Sequence, residues 1–177
     1  MRVILFAVGL GAAMVLGCEE PTHCADNTEC GVEEVCVDTE CVTAFGQAFY
    51  LSSASASGIP FSNPDLNEPW DMPGGLPDPY LVLDEAGGWH CTTYHEMDTQ
   101  DPVWTDFDCP EIVINGPISL TLSLYDDDTR DDAQLIAASA EGEVVQVDSD
   151  ALHSGEVTTS LGDIEITLHL TPVQQSE

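Results

Sequence analysis

The chain has 177 residues, 43% hydrophobic and 20% charged, which is globular composition with room for one ordinary domain and a small addition. Against 33 Asp and Glu stand only 2 Lys plus Arg, for a net charge of -31. Such a surface repels nucleic acid and anionic membranes at long range and attracts divalent cations; a saline habitat, whose salt screens the self-repulsion, would favour the same composition.

At the N-terminus Arg2 precedes an apolar run from Val3 to Leu16, then Gly17-Cys18 and an abrupt switch to Glu19-Glu20-Pro21. A bilayer span needs about 20 apolar residues, so this run reads as the apolar part of a secretory signal. The stretch Val15-Leu16-Gly17-Cys18 resembles a bacterial lipobox. That resemblance implies removal of residues 1–17, lipid on Cys18 and anchoring to a membrane after export. Glu19 follows the cysteine where an inner-membrane signal would show Asp, which in a Gram-negative host favours the outer membrane or cell surface. The plainer alternative is an ordinary signal peptide with an incidental cysteine.

Export places the remaining cysteines in an oxidising compartment. Cys24, Cys30, Cys36 and Cys41 fall in residues 18–44, a segment read as a lipidated, Cys-rich tether with few apolar residues to bury. So small a segment needs staples, and four cysteines allow three connectivities. Zinc is the sharper alternative, although metal knuckles bring cysteines in more closely spaced pairs.

Residues 45–173 read as all-β, with 174–177 as a tail. Ile118, Leu120, Leu122 and Leu124 alternate with polar residues, and so do Ile164, Ile166, Leu168 and Leu170, the period of a half-buried strand. Shorter strands are predicted at 48–54, 79–84, 88–95, 103–109 and 143–147, separated by turn clusters such as Pro73-Gly74-Gly75. Many short strands without helical periodicity predict an antiparallel sandwich. A hairpin formed by 88–95 and 103–109 around Thr99-Gln100-Asp101-Pro102 would set Cys91 opposite Cys109, within disulfide reach.

Three motifs then occur in order: Asp78-Pro79-Tyr80, Asp101-Pro102-Val103-Trp104 and Tyr125-Asp126-Asp127-Asp128. With them the chain resembles the C2 domain family, calcium-dependent phospholipid-binding sandwiches of eight antiparallel strands, from about residue 46 to Pro172. The resemblance implies calcium held by Asp71 and Asp78 on a first loop and by Asp126, Asp128 and Asp132 on a third, with Asp65 as the substitute for Asp71 and Asp131 for Asp132. Clustered loop carboxylates suit a cation that takes six to eight hard oxygen ligands. The family's Asn before Pro-x-Trp is Asp101 here, and the basic strand that many relatives use for anionic headgroups is missing.

Catalytic patterns are wanting: the chain has no nucleophile elbow, no His-Glu-x-x-His and no P-loop. The expectation is therefore a non-enzymatic exported protein whose C2-like domain binds calcium and, through it, phospholipid, a protein or a glycan, but no nucleic acid. Arg130, Trp70 and Met72, with Leu76 beside them, are the predicted surface-contacting residues. The alternative is a structural acidic envelope lipoprotein that does not bind lipid.

Overall fold

The computed structural model describes residues 23–63, 68–70, 75–127, 133–139 and 144–174, so Cys18, Asp71, Met72, Asp128, Arg130 and Asp132 lie outside the described residues. The chain runs through a short hairpin, β1 (Glu34–Val37) and β2 (Glu40–Thr43), into the long β3 (Gln47–Ser57). The two-residue strands β4 (Ser62–Asn63) and β5 (Glu68–Pro69) follow, then β6 (Pro79–Glu85), β7 (His90–Thr93), β8 (Val103–Trp104), β9 (Phe107–Asp108) and β10 (Ile112–Ile114). Next come β11 (Ile118–Asp126), β12 (Gln134–Ala138), β13 (Val145–Val147), a helix α1 (Ser149–Ser154), β14 (Glu156–Leu161) and β15 (Ile164–Pro172).

Two antiparallel sheets face each other. One has the order β10-β3-β15-β14 with β8 also on β3; the other has β12-β11-β6-β7-β9 with β13 also on β11. β8 and β10 pair with successive stretches of the same β3 edge, Ala54–Ser55 and Gln47–Phe49, and between them β9 pairs with β7 of the opposite sheet. β12 and β13 share one edge of β11 in the same manner. Counting each interrupted edge strand once, and β9 as a detour, gives four strands per sheet and the expected eight among the described residues.

Period-two alternation builds the core between the sheets. Leu120, Leu122 and Leu124 of β11 and Leu81 and Leu83 of β6 face Ile166 and Leu168 of β15 and Phe49, Leu51, Ala54 and Ala56 of β3, all buried in one cluster. The inward phase of β3 slips between Leu51 and Ala54 because the register with β15 shifts between His169 and Leu170. Such a bulge inserts one extra residue and restores the hydrophobic face beyond it. Ser52, in the shifted stretch, donates from Oγ to the His169 carbonyl oxygen at 3.1 Å.

Several strands depart from the sequence expectation. The predicted strand 103–109 is divided between the two sheets, so the hairpin with 88–95 shrinks to Thr92↔Asp108 and Thr93↔Phe107. That register still runs on to Cys91 and Cys109, which are joined with Cα atoms 4.4 Å apart. The strands β10, β12 and β14 were not expected. β12 carries a register shift opposite Leu124/Tyr125, and β14 buries only Val157 and Leu161, so neither offers a clean alternating run.

The Cys-rich segment is not an independent spacer. Its disulfides are Cys24–Cys36 and Cys30–Cys41, with Cα separations of 5.9 and 5.4 Å, and they consume the thiols that zinc would need. Its hairpin turns at Asp38 and Thr39, both with positive φ, and lays Val35, Val37 and Ala44 into the sandwich core. Asn27 Nδ2 donates to the His153 carbonyl oxygen at 3.1 Å, while the backbone N–H of Asp38 donates to Gln174 Oε1 at 2.7 Å. The expectation of little to bury is corrected here. Two valines are enough when the sandwich presents α1 and the end of β15 for them to cover.

Candidate functional site at one pole of the sandwich

The strand directions carry the loop after β3, the loop 94–102 and the loop after β11 to the same end of the sandwich. Asp126 is there because the inward row of β11 continues past Leu120, Leu122 and Leu124 by one more step, which leaves its carboxylate 0% exposed. Burying a carboxylate is costly without partners. Asp126 Oδ1 accepts the backbone N–H of Asp78 at 2.7 Å. Asp78, half-buried just before β6, in turn accepts the N–H of Asp98 on Oδ1 at 2.6 Å, and its carbonyl accepts the N–H of Asp127 at 3.0 Å.

The loop 94–102 is clamped to this pair. The N–H of Glu96 donates to the Pro79 carbonyl at 3.0 Å and that of Thr99 to the Pro77 carbonyl at 2.9 Å. Asp98 occupies the left-handed region with φ 52, a conformation Asp tolerates better than most residues, and this aims its N–H at Asp78. His95 Nδ1 lies 2.9 Å from Asp127 Oδ2 and links this loop to the third. From the first loop, Asn63 Nδ2 donates to Gln134 Oε1 at 3.0 Å, and Gln100 Nε2 reaches the Ile59 carbonyl at 2.7 Å. Tyr80 stacks on Tyr125 with centroids 5.3 Å apart. Partial burial, then the neighbouring Tyr125 and Asp127, push the Tyr80 phenol above its ordinary range.

Of the five predicted calcium ligands, the structure thus brings Asp78 and Asp126 together; Asp71, Asp128 and Asp132 lie outside the described residues. Among the described residues there is no Lys or Arg, because Arg2 and Arg130 fall outside them. The donors at this pole are carboxylates and carbonyls, hard oxygens of the kind calcium takes. Among the described residues, the one cluster of three metal-type donors within mutual reach is Cys24, Cys30 and Cys41, all held in disulfides.

Trp70 does not stand where an interfacial residue would. It is 3% exposed, and its indole N–H donates to the Pro60 carbonyl at 2.8 Å, so the first loop folds it inward as an anchor. Exposed apolar side chains at this pole are instead Phe61 (59%), Tyr94 (61%) and Met97 (72%). Sequence reasoning passed over all three, together with Asp98: Tyr94, Met97 and Asp98 lie in the loop 94–102, of which only Asp101 and Pro102 belong to a family motif, and Phe61 lies in the loop after β3, at a position no motif covers. A small cavity of about 210 Å³ lies at this end, lined by Tyr80, Thr93, Tyr94, His95 and Asp127. A larger cleft of about 930 Å³ lies away from the acidic loops, between the Cys-rich segment and β3 and β15, and the hydroxyls of Ser52 and Thr171 there bond to one another.

No family model matches the chain, and no curated protein matches it. Among solved structures it is similar to human GIVD cytosolic phospholipase A2 at 19% identity and TM-score 0.48, over 75% of this chain and 18% of that one. It is also similar to the calcium-bound tandem C2 domains of Extended-Synaptotagmin 2, at 12% identity and TM-score 0.47, over 73% of this chain and 46% of that one. A third similarity, to a single C2 domain of plant Extended Synaptotagmin 1, has 14% identity and TM-score 0.44 and covers 73% of this chain and 98% of that one. The chain therefore spans about a fifth of the phospholipase and about half of the two-domain synaptotagmin fragment.

Proposed function

We propose that the loop pole of this sandwich binds calcium and, through it, a phospholipid surface, in an exported protein held to a membrane by lipid on Cys18. One observation carries the reading. Asp78 and Asp126, 48 residues apart, are locked together by a 2.7 Å hydrogen bond at a pole that also exposes Phe61, Tyr94 and Met97. Asp78 and Asp126 would hold the ion, with Asp71, Asp128 and Asp132 completing the set that the sequence resemblance implies. Bound calcium would neutralise the clustered carboxylates and offer open coordination positions to phosphate oxygens.

The chain's own residues do the rest. Asp98 and Asp127 hold Asp78 in place beside Asp126 through backbone donors. Phe61, Tyr94 and Met97 supply apolar area beside them, the part predicted for Trp70. A surface of net charge -31 would otherwise be repelled by anionic headgroups, so attachment should depend on the ion.

Cosedimentation of the chain from Glu19 onward, which carries neither the apolar leader nor the lipidated cysteine, with vesicles of phosphatidylcholine and phosphatidylserine, in calcium or in chelator, tests this. The protein should sediment only with calcium, and Met97→Asp should weaken binding by about tenfold or more, as expected for losing the burial of one large apolar side chain. Equal sedimentation in calcium and chelator would sink the reading.

A further inference from the structure

The Cys-rich hairpin holds two disulfides of unequal access. Cys24 and Cys36 are 4% and 8% exposed, whereas Cys30 and Cys41 are only half-buried. The β1–β2 register sets Cys36 directly opposite Cys41, so each disulfide has one end on the same rung of one ladder. Their sulfurs meet: the Sγ atoms of Cys24, Cys30 and Cys41 all lie within 4.8 Å of one another. Cys36 is bonded to Cys24 but is not one of that group.

A thiolate opens a disulfide by attacking one sulfur and expelling the other, and it needs access to do so. An outside thiol can reach the half-buried pair and not the buried one. A thiolate freed on Cys30 or Cys41 stands beside Cys24 already, which makes Cys24 the sulfur attacked and Cys36 the sulfur expelled. Little backbone movement is asked for. Directly opposed residues of an antiparallel pair have Cα atoms only about 4.5–5.5 Å apart, so moving Cys24 from Cys36 to Cys41 carries it across a single rung. One disulfide survives the exchange, while Val35 and Val37 keep the hairpin in the sandwich core.

We infer that this hairpin is a thiol–disulfide exchange site whose substrate is an external dithiol, with Cys30–Cys41 as the accepting disulfide and Cys24–Cys36 as its internal relay. One thiolate of the dithiol attacks Cys30 or Cys41, and its second thiol resolves the mixed disulfide. The dithiol becomes a disulfide, and its two electrons and two protons appear as the thiols of Cys30 and Cys41. One of these, deprotonated, then attacks Cys24 Sγ. The Cys24–Cys36 bond breaks, and Cys36 leaves with the electron pair and takes up the proton. This second step exchanges one disulfide for another and consumes no further reductant. The site stands apart from the acidic loops and does not rest on the calcium and phospholipid reading.

The test uses the chain from Glu19 onward, in which Cys18 is missing and the six remaining cysteines are all paired. It is treated with a single equivalent of dithiothreitol, quenched in acid, alkylated and mapped by peptide mass. The expected map shows label on Cys36 together with one of Cys30 and Cys41, and Cys24 joined to the other. Cys91–Cys109, whose Cys91 is fully buried, should stay closed and serves as the internal reference. The double variant Cys30→Ser, Cys41→Ser removes the accepting disulfide and should lose the Cys36 label. Label confined to Cys30 and Cys41 in the unaltered chain overturns the relay, whether or not the variant folds. Cys36 labelled as readily in the variant means that the buried pair is reduced directly, and overturns it too. No label at all overturns the accepting site. Opening of Cys91–Cys109 at the same rate would show the whole domain being reduced, and the exchange site would fall with that result.

Discussion

Replacing Asp78 by Asn separates the two things its carboxylate does. Asp78 Oδ1 accepts the Asp98 N–H at 2.6 Å. Asn retains an oxygen at that position, so the bond persists without its charge. Hydrogen bonds to charged groups contribute about 1.5–3 kcal/mol and neutral ones about 0.5–1.5, so the loss is on the order of 1 kcal/mol. Relief of repulsion from the nearby Asp126 and Asp127 offsets part of it. The apo melting temperature should fall by no more than about 2–4 °C, the usual response of a domain of this size to 1 kcal/mol. Calcium is where the variant should differ sharply. At a hundredfold excess over Kd, an ion that binds only the folded state stabilises it by about 2.7 kcal/mol, or roughly 5–10 °C. Extracellular modules often bind with Kd of ~10⁻⁴–10⁻³ M, so about 10 mM calcium is the proper condition. Scanning calorimetry of wild type and Asp78→Asn, each with calcium, magnesium or chelator, reads the difference. Magnesium should do much less, since it prefers a small octahedral, water-rich shell. A variant that keeps the wild-type calcium shift would refute the assignment of Asp78 as a ligand.

Other perturbations address the rest of the molecule. Val35→Ala, in the Cys-rich hairpin, should cost about 2 kcal/mol in denaturant unfolding because Val35 is buried in the sandwich core; a loss within about 0.5 kcal/mol would return the segment to the status of a spacer. Cys18→Ser should abolish fatty-acid labelling and leave the protein unprocessed or released, and persistent label in that variant would end the lipobox reading. Asp26 accepts from Thr28 Oγ1 and from the Thr28 N–H, chiefly the hydroxyl, which holds its carboxyl below the ordinary range. A depressed folded-state value contributes stability above the unfolded value of about 3.9 that is lost as pH falls through the folded value. The Thr28 amide resonance should therefore shift with the Asp26 titration on the acid side of the usual carboxylate range, and a midpoint at or above that range would contradict the geometry.

The most legible part of this fold was the part that alternates. Residues 118–124 and 164–170 declared two central strands because a strand sends successive side chains to opposite faces, and that is a property of a few consecutive residues. The same row, extended by one step, already implied that Asp126 points inward. Interrupted edges were illegible for the complementary reason. β12 is broken by a register shift opposite Leu124/Tyr125, and β14 buries one face only at Val157 and Leu161, so neither shows enough local pattern to be told from loop.

The motif residues Asp78 and Asp126 could be singled out from chain order and residue type alone, and so could the joining of Cys91 to Cys109, though not the excursion of Val103–Trp104 to the other sheet between them. Sequence by itself could not say that Asp98 would turn its backbone N–H onto Asp78, because that contact depends on β7 and β6 being neighbours and on a left-handed residue between them. It could not distinguish Trp70, folded inward onto Pro60, from Met97, left 72% exposed, since both are apolar residues in loops of similar composition. Nor could it place the Cys-rich hairpin at the pole away from the acidic loops. Local periodicity decides which residues form a strand and which face they bury; strand order and direction, set by pairings dozens of residues apart, decide which loops meet and at which end of the molecule.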